Sequence, residues 1–468
     1  MKTAMLTGTG QFEAALEVVE RLRAAGCEAY LAGGCVRDLL LGRVPKDFDV
    51  ATSATPDVVL GLFERTFAVG AHFGVVLVAT CGGADAAGAA GEELAEPRYG
   101  ATEVATFRSD GAYSDGRHPD AVRYTTSAEE DVRRRDFTIN GLLLDAEQVA
   151  DPAKLRTAVI DYVGGLPDLE AGVVRAIGRA EERFEEDRLR MLRGVRFAAR
   201  FGFELEAKTA AAMRGLAGRI AAVSRERVRD ELTKMLTEGR ARRAFELLDE
   251  TGLLAEVLPE IARMKGVEQP AQYHPEGDVW VHTLGLLGQL DEGCSMTLAW
   301  GALLHDVGKP PTFRRAPDRI RFDGHVEVGV AMAAEILRRF RFSNEETRQV
   351  LALVENHMRF ADAQRMKAST LKRFFRLPGF DEHLALHRMD CLAGSGNLDH
   401  WEFVRERWLE MPEETVRPTP LITGRELIAA GYAPGPEFKQ MLRAVEDAQL
   451  EGTITTAQEA LRLVRERF

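Results

Sequence analysis

Two regimes of hydrophobic patterning divide the chain. In the first third, short apolar runs rich in Val, Phe and Thr alternate with polar turns. CEAYLAGG, DFDVAT, TFAVGA, GVVLVAT and EVATFR are predicted as strands, and VRDLLLG and TPDVVLGLFER as helices. Beyond about Leu166 the apolar positions repeat every 3.6 residues, as in DRLRMLRGVRFAARFGF and ERVRDELTKMLTEGRARRAFELLDETG, and no further strand is expected. The predicted fold class is multidomain α+β: a head with a sheet and helices over residues 1–165, followed by all-helical domains. Two segments break the pattern. CGGADAAGAAGEELAEPRYG (81–100) is too poor in large apolar residues to pack and is predicted as a mobile excursion from a hairpin. RSDGAYSDGRHPDAV (108–122) is a polar loop that carries Tyr113, Arg117 and His118.

Composition narrows the class. With 468 residues, 45% hydrophobic and 29% charged, the chain is long enough for several compact domains. It has no apolar run long enough to span a membrane, and its first residues turn amphipathic, so a cytoplasmic protein with no membrane partner is expected. The five cysteines (Cys27, Cys35, Cys81, Cys294, Cys391) form no CxxC pair and are expected to be reduced structural thiols. The net charge of −12 argues weakly against a nucleic-acid partner, but Val174 to Arg243 holds 18 Lys and Arg against 11 Asp and Glu. A local basic segment, not the average, is what binds phosphates.

Candidate chemistry begins at LAGGCVRDLLLGRVPKDFDVATSATP (31–56). A strand ending at Gly33-Gly34 before a helix sets backbone amides where phosphate oxygens can approach closely, with Arg37 in the first turn. Asp47-Phe48-Asp49, read as a strand, places both carboxylates on one face and Phe48 in the core. Two such acids either form a solvated face or hold a hard cation, and Mg²⁺ suits carboxylate and phosphate oxygens. Glycines holding a triphosphate beside metal-binding aspartates point to nucleotidyl transfer. In RRRDFTIN, Arg135 is suited to a phosphate, and Asp136 and Asn140 to a ribose hydroxyl; a solvated basic helix end is the alternative.

GGCVRD with DFD, RRRDFTINGLLLD, IDYVGGLPDL, FEEDRLRMLRGVRFAARFGF and SRERVRDEL follow one another over roughly residues 25–265. Together they resemble the motif series of the class II tRNA nucleotidyltransferase and bacterial poly(A) polymerase family. The resemblance implies a polymerase-β-like head and a helical neck and body (166–265) that selects the nucleotide and binds tRNA. It also implies Mg²⁺ as cofactor and CTP and ATP as substrates. Within this family TFRSDGAYSDGRHPD resembles the flexible loop of members that add a terminal A, and TFAVGAHFGVVLV the CCA-adding version. Addition of CCA, or of its terminal A, to tRNA 3′ ends is the reading, with poly(A) polymerase as the alternative.

Base choice has a physical basis in Glu186-Asp187-Arg188-Leu189-Arg190. On one helix, Asp187 and Arg190 project side by side. A carboxylate accepts from an amino group and a guanidinium donates to a ring nitrogen, which suits the amino and ring-nitrogen edge of cytosine and adenine and mismatches guanine and uracil. A surface ion pair is the plain alternative; the resemblance assigns the pair to nucleotide selection. Arg193 and Arg196 continue the same helical face and are expected to meet the incoming nucleotide.

The C-terminal half carries His282, His305-Asp306, His325, His357 and Asp390 within WVHTLGLL, LLHDVGKP, DGHVEVG, ENHM and MDCLAG. Imidazole and carboxylate together bind a divalent transition metal, although any one of these histidines alone is more often structural. The ordered set resembles the HD phosphohydrolase domain, over 266–395, followed by a helical tail (396–468). It implies metal-assisted hydrolysis of a phosphate ester such as a 2′,3′-cyclic or 3′-phosphate on damaged tRNA ends. From a different function class, the chain reads as an HD phosphohydrolase whose head only recognises RNA.

Overall fold

The computed structural model describes residues 10–67, 74–81, 99–110, 122–145, 147, 154–272 and 274–468. The tips of the two predicted loops, and the end of TFAVGA, lie outside them. The chain divides into two compact units, Met1–Glu231 with Leu247–Val257, and Leu232–Glu246 with Leu258–Phe468.

The first unit opens with α1 (Gly10–Ala24), whose buried Phe12, Ala15, Val18, Val19 and Leu22 form one helical stripe. Then come β1 (Ala29–Ala32), α2 (Gly34–Leu40), β2 (Asp49–Thr52), α3 (Pro56–Leu62), β3 (Thr66–Phe67), β4 (Val75–Cys81) and β5 (Tyr99–Thr106). β6 (Arg108–Asp110) and β7 (Val122–Tyr124) pair with each other, followed by α4 (Ala128–Arg133), β8 (Leu142–Leu144) and β9 (Val159–Asp161). The main sheet runs β3-β4-β5-β2-β1-β8-β9. It is mixed, because β2 and β5 are parallel while its other neighbours are antiparallel. Leu31, Val50, Ala51 and all of Leu142–Leu144 are buried, as central strands require.

After α5 (Gly165–Ala171) the helical expectation needs one correction. Two-residue strands β10 (Val173–Val174) and β11 (Glu204–Leu205) pair in parallel; strands this short leave no alternation to detect. Between and after them lie α6 (Ala180–Glu186), α7 (Leu189–Phe201), α8 (Ala207–Leu216) and α9 (Arg225–Thr237).

Among its described residues the second unit is helical apart from a hairpin of two-residue strands, Arg314–Arg315 with Ile320–Arg321. Its elements that matter here are α10 (Val279–Leu287), α11 (Met296–Leu304), α12 (His325–Arg339), α13 (Asn344–Asn356) and α14 (Phe380–Ala393). Trp300 lies at the centre of its core against Phe340 and Phe342, and Phe360, Phe374 and Phe380 anchor a second cluster. Among the described residues no helix is long and apolar enough to cross a membrane, and Cys27, Cys35, Cys294 and Cys391 are free thiols.

Candidate active site

β1 ends at Ala32, which pairs with Asp49 at the start of β2. The chain then turns at Gly33, whose φ of 72° and ψ of −123° are open to glycine and strained for other residues. A Cβ there would meet Arg135 Nη1 at 3.1 Å. Gly33 N–H donates to Leu142 O at 3.0 Å, so one expectation is corrected: this amide is committed to the sheet and cannot cradle a phosphate. Gly33 supplies the turn and the clearance for Arg135, leaving Gly34 as the first residue of α2.

Asp47 and Asp49 do not share one strand. β2 begins at Asp49, and Asp47 is exposed on the segment leading into it. Phe48 between them is buried and packs edge-on against Phe12, ring centroids 5.3 Å apart, which pins this segment to α1. The parallel pairing of Val50 with Val104 sets a third carboxylate, Glu103, beside Asp49. Burial, then Glu103 and Asp47, push the Asp49 carboxyl up to about 7, with Arg135 pulling the other way. Glu103 is raised as well, by burial and by Asp47. Three carboxylates short of positive charge are a fitting donor set for a divalent cation.

The arginines around this turn are held by protein partners. Arg37 is buried: Nε and Nη2 donate to Asp38 Oδ1, both at 2.8 Å, and Nη1 to Asn140 Oδ1 at 2.5 Å. Its guanidinium lies over the rings of Phe201 and Phe197, 4.5 and 5.2 Å from their centroids. Arg37 therefore braces α2 against α7 and does not stand open beside the glycines. Arg134 and Arg135 both donate to Asp131, one to each carboxylate oxygen, and Asp131 is 1% exposed.

Asp136 and Asn140 continue this lattice. Asp136 Oδ1 accepts from Phe137 N–H and from Asn140 Nδ2, and Oδ2 from Arg193 at 2.8 Å. Burial alone would raise the Asp136 carboxyl, but Arg193 and the Asn140 bond outweigh it and bring the group down to about 2. A folded pKa under the unfolded value of about 3.9 gives stability that is present above that value and lost as pH falls through the folded pKa. Asp136→Asn is thus expected to lower unfolding free energy by about 2 kcal/mol at neutral pH, the gap to wild type closing below about pH 4 in urea melts.

In the neck, the single helix expected to carry Asp187 and Arg190 is broken. α6 ends at Glu186, Asp187 is extended at φ −140° and ψ 104°, and α7 starts at Leu189. The break is Asp187's own doing: its Oδ1 accepts from Leu189 N–H at 3.1 Å, and short acidic side chains favour helix ends for this reason. Arg227 of α9 grips both carboxylate oxygens, Nη1 to Oδ1 at 3.2 Å and Nη2 to Oδ2 at 2.7 Å. Arg190 donates to Glu186 Oε2 at 2.5 Å and to the carbonyls of Arg183 and Arg134, both at 3.1 Å. Arg196 departs from expectation as well. It is buried, with Nε donating to Glu231 at 2.7 Å and the guanidinium over Phe197, which makes it a tie between α7 and α9.

The second unit brings together all six of its expected residues. His282 of α10 contacts Asp390 of α14 at 3.0 Å through Nε2 and Glu276 at 2.7 Å through Nδ1. Asp306, just after α11, faces His305 Nε2 and Lys309 Nζ with Oδ2, at 3.2 and 2.7 Å. Its Oδ1 faces His357 Nε2 and His325 Nε2 at 3.7 and 4.0 Å. His305, His325 and His357 each bond a backbone carbonyl through Nδ1, those of Ala302, Phe322 and Val354. That bond puts the proton on Nδ1 and turns a bare Nε2 lone pair inward. All three Nε2 atoms and Asp306 Oδ1 are buried without a hydrogen-bond partner among the described residues. Lone pairs converging on a carboxylate fit a transition-metal cation. A Cβ at Gly308 would lie 2.1 Å from His325 O, so only glycine lets the start of α12 close on the His-Asp turn. A cavity of about 450 Å³ opens beside the cluster, walled by Lys309, Phe322, His325, His357, Met358 and Asp390.

Comparison with known proteins places this geometry. The chain is 30% identical to the CCA-adding enzyme of Streptococcus thermophilus over 456 residues, 96% of each chain. It belongs to the CCA-adding enzyme family. The CCA-adding enzyme of Geobacillus stearothermophilus is 31% identical over 453 residues, 96% of this chain and 95% of its own. The Bacillus stearothermophilus CCA-adding enzyme in complex with CTP matches at a TM-score of 0.70 and 28% identity, covering 98% and 97% of the two chains. The Thermotoga maritima CCA-adding enzyme complexed with tRNA shares the fold at a TM-score of 0.60 and 17% identity, over 99% and 97%. Family models match in series: the poly A polymerase head domain at 29–175, the "Probable RNA and SrmB-binding site of polymerase A" at 202–265, and a tRNA nucleotidyltransferase domain 2 at 325–464. As a member of the CCA-adding family the chain is a nucleotidyltransferase, and enzymes of this family generally use a divalent metal.

Within this CCA-adding fold, Glu103, Asp131, Arg227 and Glu276 stand against the expected site residues Asp49, Arg135, Asp187 and His282 without any motif in the sequence to mark them. Glu103 alone left a trace, an acid inside the alternating strand EVATFR. Asp131, Arg227 and Glu276 sit in charged stretches where nothing separates a buried acid or a tethering arginine from a solvated one.

Proposed function

We propose that this chain adds CCA to the 3′ end of tRNA from CTP and ATP without a template, releasing pyrophosphate. The observation that carries the reading is the donor inventory of the neck. Asp187 Oδ1 is filled by Leu189 and Arg227, and Oδ2 keeps one acceptor site; Arg190 keeps Nε–H and one Nη2–H beyond its protein partners among the described residues. One acceptor beside donors is the complement of the amino group and ring nitrogen of cytosine and adenine. Asp47, Asp49 and Glu103 would hold Mg²⁺, which when bound activates the tRNA 3′-hydroxyl and neutralises charge on the leaving pyrophosphate. Arg135, tethered by Asp131 over Gly33, supplies fixed positive charge at the same turn, and the Arg193–Asp136–Asn140–Arg37 lattice sets the wall between head and neck. The test is incorporation with tRNA transcripts ending before CCA, after C and after CC. Completion of all three to CCA, then a stop, is expected. Long tails from ATP alone would make it a poly(A) polymerase.

A second reading rests on the orphaned lone pairs around Asp306. His282, His305, Asp306, His325, His357 and Asp390 would hold a divalent transition metal, which when bound makes a water nucleophilic and polarises a phosphate ester. Glu276 and the three carbonyls orient the imidazoles, and Lys309, held by Asp306 and Gln269, offers positive charge at the cavity wall. The substrate class is a phosphate ester at an RNA end.

A further inference from the structure

Arg227 reaches from α9 across to an extended residue between α6 and α7, and its bidentate grip falls on the carboxylate proposed above to read the base. Its effect is subtractive. An ionised carboxylate offers about four acceptor sites, and with Leu189 N–H it leaves Asp187 a single one, on Oδ2. A single acceptor suits one amino N–H. The Watson–Crick edge of guanine presents two parallel N–H donors, N1–H and the 2-amino group, which an unencumbered carboxylate accepts through both oxygens at once. Uracil presents one N–H between two carbonyls and gains much less from such a carboxylate.

We propose that Arg227 is a specificity-determining residue that excludes GTP by occupying the second acceptor of Asp187. The inference rests on the proposal that Asp187 and Arg190 read the base. It belongs to the kind of selectivity built against a wrong ligand, with the loss felt only by the competitor. Arg227 acts through its contact with Asp187, so its removal should change which nucleotide is accepted more than how fast the right one reacts.

The experiment measures single-nucleotide incorporation of CTP, ATP, GTP and UTP on matched tRNA ends for wild type, Arg227→Gln, Arg227→Lys and Asp187→Ala, with thermal melts of each. The GTP-to-CTP ratio of kcat/KM is expected to rise about tenfold in Arg227→Gln, the order of one lost base discrimination. The rise in Arg227→Lys, which keeps one contact, should be smaller, and UTP should gain less than GTP in both. Asp187→Ala should lose the preference for C and A over G and U without favouring GTP. If Asp187→Ala keeps wild-type preference, the base-reading proposal itself fails. If Asp187→Ala loses it while both Arg227 variants still reject GTP, or admit GTP and UTP equally, the role assigned to Arg227 is overturned. Should Arg227→Gln melt below the assay temperature, the Arg227→Lys ratio decides.

Discussion

Asp49→Ala protein is expected to bind a tRNA transcript as wild type does and to incorporate no nucleotide above background, a loss of about 10³-fold or more in kcat. Asp49 is the partly buried member of a three-carboxylate group; burial first, and then repulsion by Glu103 and Asp47, hold its carboxyl at about 7. Such an arrangement costs folding free energy. A folded pKa above the unfolded value of about 3.9 means stability that is full below that value and lost as pH rises through the folded pKa. Asp49→Ala should therefore melt higher than wild type at pH 8 without divalent metal, and Mg²⁺ should raise the melting temperature of wild type only. Activity retained at ordinary Mg²⁺, or equal melts with and without the ion, would remove Asp49 from the metal site.

On the proposed reading of the second unit as a metal-dependent phosphohydrolase, Asp306→Asn is expected to abolish transition-metal uptake and to lower hydrolysis of a 2′,3′-cyclic nucleotide by about 100-fold, while CCA addition persists. Asp306 faces both histidine sets, His305 through Oδ2 and His325 with His357 through Oδ1. Burial opposes its charge, yet Lys309 Nζ at 2.7 Å holds it well below the usual carboxylate range, so it is a standing anion. Asn keeps the shape and loses the charge, and its amide can donate to the lone pairs that otherwise wait for a cation. Metal content after dialysis, measured by plasma mass spectrometry, separates this from misfolding. A wild-type protein that takes up no transition metal, or a variant that hydrolyses as well as wild type, would refute the second reading.

Expectation and structure part company at specific residues. The strands CEAYLAGG, GVVLVAT and EVATFR and the helices after Leu166 are where the patterning puts them, because alternation and 3.6-residue repeats are local properties of a chain. The convergence of His282, His305, Asp306, His325, His357 and Asp390 was legible too, since few sequences space so many metal-ligand types in order. Gly33, Arg37 and Arg196 are different. Their positions near the site were foreseeable, but whether an amide or guanidinium faces a ligand depends on Leu142 O, Asn140 and Glu231, partners up to about a hundred residues away. The helix break at Asp187 is a local event that periodicity overlooked, because Asp187 keeps the charge pattern of the helix while its carboxylate accepts from Leu189 N–H, the first amide of the next one.

The sequence by itself determined the longer elements, the head-then-helices order, and the donor types each half can offer, because residue type and spacing set backbone period and donor identity. Only tertiary structure decided which charges meet. Glu103 joins Asp49 through the β2–β5 register, the buried Asp131 tethers Arg134 and Arg135, and Arg227 grips the carboxylate of Asp187 from another helix. An ion pair is made by proximity in space and by burial, and neither is encoded in the spacing of the residues that form it.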